Sequence, residues 1–155
     1  MSESKDQRRM VAENRKARHD FDLLETLECG IALQGTEVKS LRQGKASIAE
    51  SYAMVRRGEL WLLGAHIPEY AFGNIHNHAP LRDRKLLVNK RELVKWERAV
   101  KEQGVTIVPL SLYFKGALVK VALALARGRK LHDKRERERE KTDRREIERA
   151  ASRRR

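Results

Sequence analysis

The charged segment at the end of the chain most constrains what the chain can fold into. Residues 127–155 contain fourteen basic and seven acidic residues, and their only large aliphatic side chains are Leu131 and Ile147. A segment with so few apolar side chains cannot bury a core of its own. The folded domain must therefore be built from the residues before Arg127, and we expect residues 127–155 to be disordered in the free protein.

The same segment is nevertheless rich in residues that favour helix. Asp133 precedes Arg137 by four residues and Glu140 precedes Arg144 by four, an acid-first order that stabilises an isolated helix. We therefore expect this basic tail to become helical once a partner holds it. Residues 1–13 are equally polar, and the sequence predicts a loose segment at that end of the chain.

The residues between the two polar ends show the alternation that is typical of β-strands. Apolar side chains recur mainly at odd positions over residues 20–33, and they alternate with small or charged ones over residues 119–125. A hairpin is predicted where residues 52–55 and 60–67 flank a short Gly-containing connection, and another where residues 105–114 turn at Lys115-Gly116. About six short strands are expected.

One strong helix interrupts the predicted strands. Asn89 can cap its start together with Glu92, and Gly104 can end it. Its apolar stripe consists of Leu93, Trp96 and Val100. A shorter helix is possible over residues 37–42. Short strands with a capped helix between hairpins predict a mainly β protein, a small OB-like antiparallel barrel over residues 14–126 with flanking helices.

The net charge of the chain indicates the kind of partner. Lysine and arginine number 35 against 22 acidic residues, so the net charge is +13. Nucleic acid is the expected partner, because cations that contact phosphates gain affinity by releasing condensed counterions. The sequence has no 18-residue apolar run, no signal peptide and no lipidation motif. We expect a cytoplasmic protein without membrane contact, and the single Cys29 fits a reducing compartment.

The motifs of the common enzyme classes are missing from the sequence. There is no phosphate-binding loop, no dinucleotide-binding glycine motif and no nucleophile turn. His76 and His78 are the only close histidine pair, and we expect them to be loop residues rather than metal ligands. A nuclease would need clustered carboxylates, and the only plausible set, which we expect to form ion pairs instead, is Asp20, Glu25, Glu28 and Glu37. The sequence predicts a non-enzymatic binding protein without metal or cofactor.

Two basic clusters lie in the predicted barrel. Residues 14–21 place three cations, an amide, an imidazole and an aromatic ring just before the first strand, and such groups can hold phosphates or contact unpaired bases. A solvated lead-in with Phe21 in the core explains that segment equally well. Residues 81–87 form the second cluster, which leads towards a helix with a basic outer face.

Five motifs stand out along the chain: Asn14-Arg-Lys-Ala-Arg-His19, Gly30-Ile-Ala-Leu-Gln-Gly-Thr-Glu-Val-Lys-Ser-Leu-Arg42, Arg84-Lys-Leu-Leu87, Leu110-Ser-Leu-Tyr-Phe-Lys115 and Gly128-Arg-Lys-Leu-His-Asp-Lys-Arg135. In their order and spacing they resemble the SsrA-binding protein family, SmpB. The resemblance covers about residues 14–135. It implies an OB-like barrel that binds the tRNA-like domain of tmRNA and delivers it to stalled ribosomes for trans-translation. An OB-fold ribosomal or initiation-type RNA-binding protein is the alternative, and a monomer is expected.

The resemblance and the basic clusters together assign RNA contacts to eight residues: Asn14, Arg15, Lys16, His19, Glu28, Lys85, Leu87 and Lys120. An acid such as Glu28 is repelled by phosphate unless it accepts from a base amine or a 2′-hydroxyl, or orients a neighbouring arginine, which is the preferred interpretation. By resemblance, the tail motif enters the ribosomal decoding region and the messenger channel. Its assigned residues are Gly128, Arg129, Lys130, His132, Asp133, Lys134 and Arg135. Family members often carry a second lysine or an aromatic residue where Arg129 and Leu131 stand here.

Overall fold

The structure, a computed structural model, describes residues 8–73, 76–129 and 131–153, without the side chains of residues 131–137 and 152–153. Over these residues the chain forms seven strands and four helices. In chain order they are β1 (Arg8–Glu13), α1 (Arg15–Asp20), β2 (Phe21–Ile31), α2 (Gly35–Arg42), β3 (Tyr52–Arg56), β4 (Glu59–Leu63), β5 (Arg84–Leu87), α3 (Lys90–Gln103), β6 (Thr106–Lys115), β7 (Leu118–Gly128) and α4 (Leu131–Arg153). None of the described helices is both long enough and apolar enough to span a membrane.

The strands close into an antiparallel barrel, as the alternation predicts. The hydrogen-bonded order is β1-β6-β3-β4-β5-β2-β7, and β7 returns to pair with β6. One edge of β6 pairs with β7, while its other edge is shared by β1 and β3. The closed ring removes the open edges that a flat sheet of this size would leave.

The main core lies inside the ring and takes one side chain in two from each strand. The odd positions of β2 and β7 supply Cys29, Ile31, Val121, Leu123 and Leu125, each at most 8% exposed. Leu41 of α2 and Trp96 of α3 belong to the same cluster. The mainly β prediction and the alternation in β2 and β7 are therefore confirmed.

A second, smaller cluster lies under α1. Ala17 of α1 packs with Val108, Ala124 and Ala126, and Phe21 and Leu23 lie against them. The register of β2 shifts between Leu23 and Glu25, which is the signature of a bulge. Because one extra residue reverses the alternation, the side chains before the bulge pack under α1 while later ones enter the main core.

The hairpin between β3 and β4 has a two-residue turn. Arg57 has φ 53° and Gly58 has φ 74°, so both lie in the left-handed region that a tight hairpin turn requires. Met54 and Trp61 are cross-strand partners in this hairpin. The two predicted hairpins are confirmed, the second as β6 and β7.

The prediction of a loose segment over residues 1–13 is wrong for β1. Arg8 pairs with Lys115 and Glu13 pairs with Ser111, so this polar strand completes the edge of β6. Backbone hydrogen bonds to β6 hold it, and Val11 and Ala12 pack against the main core, but two adjacent apolar residues make no alternating pattern in the sequence. Residues 1–7 lie outside the described residues. At the other end, β7 runs to Gly128 and so extends past the predicted domain end at residue 126.

Helix α3 begins at Lys90 and ends before Gly104, which adopts the predicted left-handed conformation. The predicted side-chain cap at its start is wrong, because Asn89 makes no capping hydrogen bond. The apolar stripe is also narrower than predicted: Trp96 is buried, but Val100 is 36% exposed. The short helix predicted at residues 37–42 is present as α2.

Helix α2 is tied to the long β4–β5 connection by a buried ion-pair network. Glu37 and Arg84 are fully buried and their side chains are hydrogen-bonded. Arg82 donates to the same carboxylate, and the Gln34 amide donates at 2.8 Å. Arg84 also donates to the carbonyls of Ala65 and Pro80 at 2.8 and 3.1 Å. Burial alone would raise the pKa of Glu37, but the hydrogen bonds from Arg82, Gln34 and Arg84 hold it below its usual value.

Replacing Glu37 with Gln should destabilise the fold strongly. The substitution leaves Arg84 buried without a counter-ion, a change that costs about 3–5 kcal/mol. Glu97→Gln is the matched control, because it removes an exposed pair with Lys101 that is worth about 0.3–0.5 kcal/mol. Urea unfolding measures both variants, and equal losses would contradict the central role of this network.

The lowered pKa of Glu37 also sets the sign of a pH effect. A carboxyl whose pKa is depressed by folding stabilises the protein above its unfolded pKa, and this stability is lost as the pH falls through the folded value. The free energy of unfolding of Glu37→Gln should therefore fall less in acid than that of the wild-type protein, and urea unfolding at several pH values measures the difference.

Candidate nucleic-acid interface

Five residues form a row across the outside of the barrel, one from each of five neighbouring strands. Met10, Tyr113, Lys120, Gly30 and Leu87 are register partners in that order across β1, β6, β7, β2 and β5. Strands lie about 4.8 Å apart, so this transverse row is about 19 Å long. Its ends are apolar and exposed, with Met10 at 50% and Leu87 at 53%. The row brings together the predicted contacts Leu87 and Lys120.

Glu28 lies beside the transverse row and holds three partners. Its carboxylate accepts a hydrogen bond from the Tyr113 hydroxyl and one from the Lys115 ammonium at 3.2 Å, and it pairs with Arg8 at 3.5 Å. The guanidinium of Arg8 also lies 5.1 Å from the centre of the Tyr113 ring. Glu28 thus positions two cations and one aromatic ring, and one of its partners is an arginine.

The same contacts shift the acidity of both partners. The hydrogen bond from Tyr113 lowers the pKa of Glu28, with smaller contributions from Lys115 and Arg8, and together these outweigh partial burial. Burial, followed by the contact with Glu28, raises the pKa of Tyr113 to about 12. At neutral pH the carboxylate is therefore charged and the phenol stays a donor to it.

Asn14 fixes the predicted N-terminal contact segment to the barrel. Its side-chain oxygen accepts from the Ala17 amide at 3.2 Å and caps α1, while its side-chain nitrogen donates to the Pro109 carbonyl at 3.0 Å. The residue is only 6% exposed. The Asn14 side chain therefore stabilises the fold by capping α1 and tying it to β6, a role that the sequence did not predict.

The cations of α1 point outward from that anchor. The Arg15 side chain is 91% exposed and pairs with Glu13 at 3.6 Å, and Lys16 is 62% exposed and pairs with Glu50 at 3.7 Å. Exposed pairs of this kind hold a side chain weakly, so another anion can replace the carboxylate. These two cations are available to phosphates.

His19 connects α1 to the helical tail. Its Nδ1 lies 3.0 Å from an Asp20 oxygen and its Nε2 lies 2.8 Å from an oxygen of Glu138 in α4. The hydrogen bond with Asp20, followed by that with Glu138, raises the pKa of His19. The imidazole is thus biased towards its cationic form between two acids.

Arg129 anchors the start of the tail. Its side chain is 4% exposed, pairs with Asp22 at 2.8 Å and donates to the His19 carbonyl at 3.2 Å. Its amide donates to the Asp20 carbonyl at 3.0 Å. Arg129, predicted to contact the ribosome, is directed to the barrel in this conformation.

The remaining tail residues are placed only in part. Gly128 ends β7 opposite Phe21, and Lys130 lies outside the described residues. His132, Asp133, Lys134 and Arg135 lie in α4, and their side chains are outside the described part of the chain. From residue 138 to residue 151 the described side chains of α4 are exposed, in keeping with the absence of an apolar stripe. Disorder of the tail in the free protein stays a prediction.

Lys85 lies on β5 but outside the transverse row. It pairs with Glu59 at 3.1 Å and is the register partner of Trp61.

The α1 segment lies far from the transverse row. Lys120 of the row and Gly128 near α1 are eight residues apart on β7, which corresponds to about 26 Å. The predicted RNA contacts therefore fall into two surfaces, one at each end of the β2–β7 pair.

The carboxylates that a nuclease would need are dispersed. Glu37 is buried with two arginines, Glu25 pairs with Lys95 at 2.9 Å, and Glu28 belongs to the cluster described above. Of the two loop histidines, His78 is buried and hydrogen-bonded to Thr36 and to the Ile67 carbonyl, while His76 is exposed. Within the described ranges, no three His, Cys, Asp or Glu side chains are grouped as metal ligands would be.

Several residues of this interface were missed by sequence reasoning. Arg8 and Met10 lie in the segment predicted to be loose, and Tyr113 was placed only as a strand residue within a motif. Gly30 is the partner of both Lys120 and Leu87. Tyr113 could have been found from the alternation of the predicted strand, where it shares a face with Ser111 and Lys115. A phenol on that face needs a hydrogen-bond partner.

The closed barrel and its two basic surfaces define a small RNA-binding β-barrel protein. Residues 11–153 match the family model described as "SmpB protein". An SsrA-binding protein of Saccharopolyspora erythraea is 53% identical over 94% of this chain and 92% of its own length, and one of Chelativorans sp. is 57% identical over 81% and 82%. The chain belongs to the SmpB protein family.

A solved structure agrees with this assignment at the level of the fold. It is described as "tmRNA-SmpB: a journey to the center of the bacterial ribosome", and it is 50% identical to this chain. The match covers 77% of this chain and 84% of the chain in that structure, with a TM-score of 0.64. The family and the barrel that the five motifs implied are thus confirmed.

Asn14→Ala tests whether Asn14 anchors α1 to the barrel. Loss of the cap and of the bond to Pro109 should reduce the free energy of unfolding by about 1–2 kcal/mol. Arg15→Ala, at the next position but exposed, should change it by less than about 0.5 kcal/mol. Thermal or urea unfolding measures both, and an unchanged Asn14→Ala variant would mean that Asn14 does not anchor α1.

Proposed function

We propose that this protein binds the tRNA-like domain of tmRNA and delivers it to stalled ribosomes for trans-translation. The observation that carries the proposal is the transverse row, where Lys120 and Leu87 flank Gly30 and share one face of a basic barrel with the Glu28 cluster. Membership of the SmpB family supports the identity of the RNA, since the relatives are called SsrA-binding proteins.

The chemistry of the row suits a folded RNA. Lys120, Lys115 and Arg8 supply charge for phosphates, while Leu87 and Met10 offer apolar surface to a sugar or a base. The α1 cations Arg15 and Lys16 extend the contact at the other end of the barrel. Asn14 and His19 position that segment, and Lys85 adds charge beside the row.

In this proposal the protein performs no catalytic step and acts by shape. The barrel with its RNA occupies the space of a tRNA, and the tail that begins at Gly128 occupies the vacant decoding region and messenger channel. The exposed, strongly charged face of α4 supports a role for the tail among RNA phosphates. The protein acts as a monomer in the cytoplasm, where ribosomes stall.

Sequencing the RNA that co-purifies with the tagged protein tests the proposal. We expect tmRNA to be enriched over ribosomal RNA, because the barrel is proposed to hold tmRNA before the ribosome is met. Leu87→Ala keeps every surface cation and alters an exposed side chain, so it serves as the control for charge alone and should enrich tmRNA less than the wild-type protein does. Stoichiometric presence in every ribosome without enrichment of tmRNA would instead favour a structural ribosomal protein.

Deleting residues 133–155 should leave the affinity for tmRNA nearly intact but abolish peptide tagging on stalled ribosomes. The barrel and the Arg129 anchor remain in this variant, whereas the segment proposed to enter the channel is lost. Electrophoretic mobility shifts measure the affinity, and a tagging assay in a purified translation system measures the function. Loss of tmRNA binding on deletion would contradict the separation of barrel and tail.

Arg144→Pro should impair tagging if the tail works as a helix. Proline in a helix interior costs about 3 kcal/mol but leaves most of the charge in place. Arg144→Ala is the matched control, since it removes the same charge and keeps the helix. Equal tagging by both variants would mean that the tail acts as a flexible polycation.

A further inference from the structure

The connection between β4 and β5 presents one aromatic ring to solvent. Phe72 is 76% exposed, the largest exposed fraction among the described large apolar side chains. Its ring packs edge to face against the Tyr70 ring, with the ring centres 5.5 Å apart. A single exposed apolar side chain is ordinary on a protein surface, so the surroundings of Phe72 decide whether it has a task.

Hydrogen bonds hold the backbone beside Phe72 in place. The Asn77 side chain donates to the Tyr70 carbonyl at 2.6 Å and accepts from the Tyr70 amide at 3.1 Å, and the Gly73 amide donates to the same carbonyl at 2.9 Å. A Cβ atom on Gly73 would lie 2.5 Å from the Asn77 amide nitrogen and 3.1 Å from the Thr36 methyl group, so the close packing of this segment on α2 requires glycine. The ring is therefore preorganised, which reduces the entropy that binding would cost.

Cations without carboxylate partners lie next to this ring. The Lys39 ammonium is 5.5 Å from the centre of the Tyr70 ring, on which Phe72 packs. Arg42 follows Lys39 by three residues, so the two side chains are neighbours on the surface of α2. The guanidinium of Arg9 reaches the same place and donates to the Arg42 carbonyl. Within the described ranges, none of these three cations forms an ion pair with an acid.

The acids of this region leave the surface positive. Glu37 is the only acid of α2, and it is fully buried with Arg82 and Arg84. Glu69 is the nearest acid along the β4–β5 connection, and it is exposed. The outward cations thus outnumber the outward acids, and the complementary partner is an anion. An aromatic ring flanked by cations is the arrangement that binds unpaired nucleotides, whose bases stack on the ring while their phosphates meet the cations.

We propose that Phe72, Lys39 and Arg42 form a further RNA contact, in which one unpaired base stacks on Phe72 and the adjoining phosphates bind Lys39 and Arg42. We call this the Phe72 contact. It lies on α2 and the β4–β5 connection, outside both surfaces described above, and it rests on the proposed function for the identity of the RNA. The nucleotide belongs either to the tRNA-like domain of tmRNA or to the ribosomal RNA that the complex meets.

Substitutions of Phe72 separate stacking from other apolar contacts. Phe72→Ala should weaken RNA binding about tenfold, the size expected for one stacked base, while the melting temperature stays unchanged because the side chain is exposed. Phe72→Tyr keeps the ring and should keep the affinity, whereas Phe72→Leu is apolar without a ring and should lose as much as Phe72→Ala. Full affinity in Phe72→Ala would overturn the proposal. Full affinity in Phe72→Leu alone would overturn it too, and would indicate an apolar pocket of a protein partner.

Two binding measurements identify the source of the nucleotide. Electrophoretic mobility shifts with the isolated tRNA-like domain report a nucleotide of tmRNA, and pelleting of the preformed complex with stalled ribosomes reports a ribosomal one. A loss in the first measurement assigns the nucleotide to tmRNA, and a loss in the second alone assigns it to ribosomal RNA. A loss in neither overturns the proposal. Failure of the wild-type protein to bind the tRNA-like domain would refute the proposed function instead, and pelleting of the protein alone with ribosomes then still tests the Phe72 contact.

Lys39→Ala tests the phosphate contact independently. It should weaken binding in the same measurement as Phe72→Ala and make the slope of log K against log[salt] shallower by about 0.7, whereas Phe72→Ala should leave that slope unchanged. Lys101→Ala is the matched control, because Lys101 is exposed on α3 and pairs with Glu97, and it should change neither quantity. An unchanged slope in Lys39→Ala, or an equal change in Lys101→Ala, would overturn the assignment of a phosphate to Lys39.

Discussion

The buried pair of Glu37 and Arg84 is the interaction on which the position of the interface depends. Arg84 is the first residue of β5, and β5 is joined to β2 by only two register pairs, Gly30 with Leu87 and Ile31 with Leu86. So short a pairing is weak by itself. Three register pairs join β5 to β4, and Arg84 adds bonds to Glu37 of α2 and to the carbonyls of Ala65 and Pro80, which hold the start of β5. Leu87, three residues after Arg84 on the same strand, is exposed beside Gly30. The motif of residues 30–42, which contains Glu37, and the motif of residues 84–87, which begins with Arg84, are thus bonded to each other.

The long β2–β7 pair separates the two surfaces of the protein. It carries nine register pairs, from Phe21 opposite Gly128 to Gly30 opposite Lys120. The transverse row crosses one end, and α1 with the anchor of the tail lies at the other. Bulges in β2 and β6 turn apolar side chains outward near α1, where Ala17 packs against them. The barrel therefore supplies two independent attachment points, and the proposed division between RNA binding and tail insertion follows from this distance.

How much the sequence predicts depends on whether an element is held by side chains or by backbone. The core strands, both hairpins and the end of α3 follow from alternation and glycine placement, and five motifs suffice for the family. Strand β1 escapes prediction because its bonds to β6 come from the backbone, and α1 escapes because one buried alanine, Ala17, is too short a pattern. At the site, the residues Glu28, Leu87 and Lys120 are found from resemblance. The partners Arg8 and Tyr113 are not, because register between distant strands places them there.

Acids within a basic interface have a physical reason in this structure. A chain with a net charge of +13 attracts any nucleic acid, and phosphate contacts alone do not fix which part of the RNA lies where. Glu28 holds Arg8 and Lys115 in place, so their charge is presented at one position rather than spread over many rotamers. Excess cations supply attraction at long range, and a carboxylate such as Glu28 fixes the positions at which two of these cations are presented.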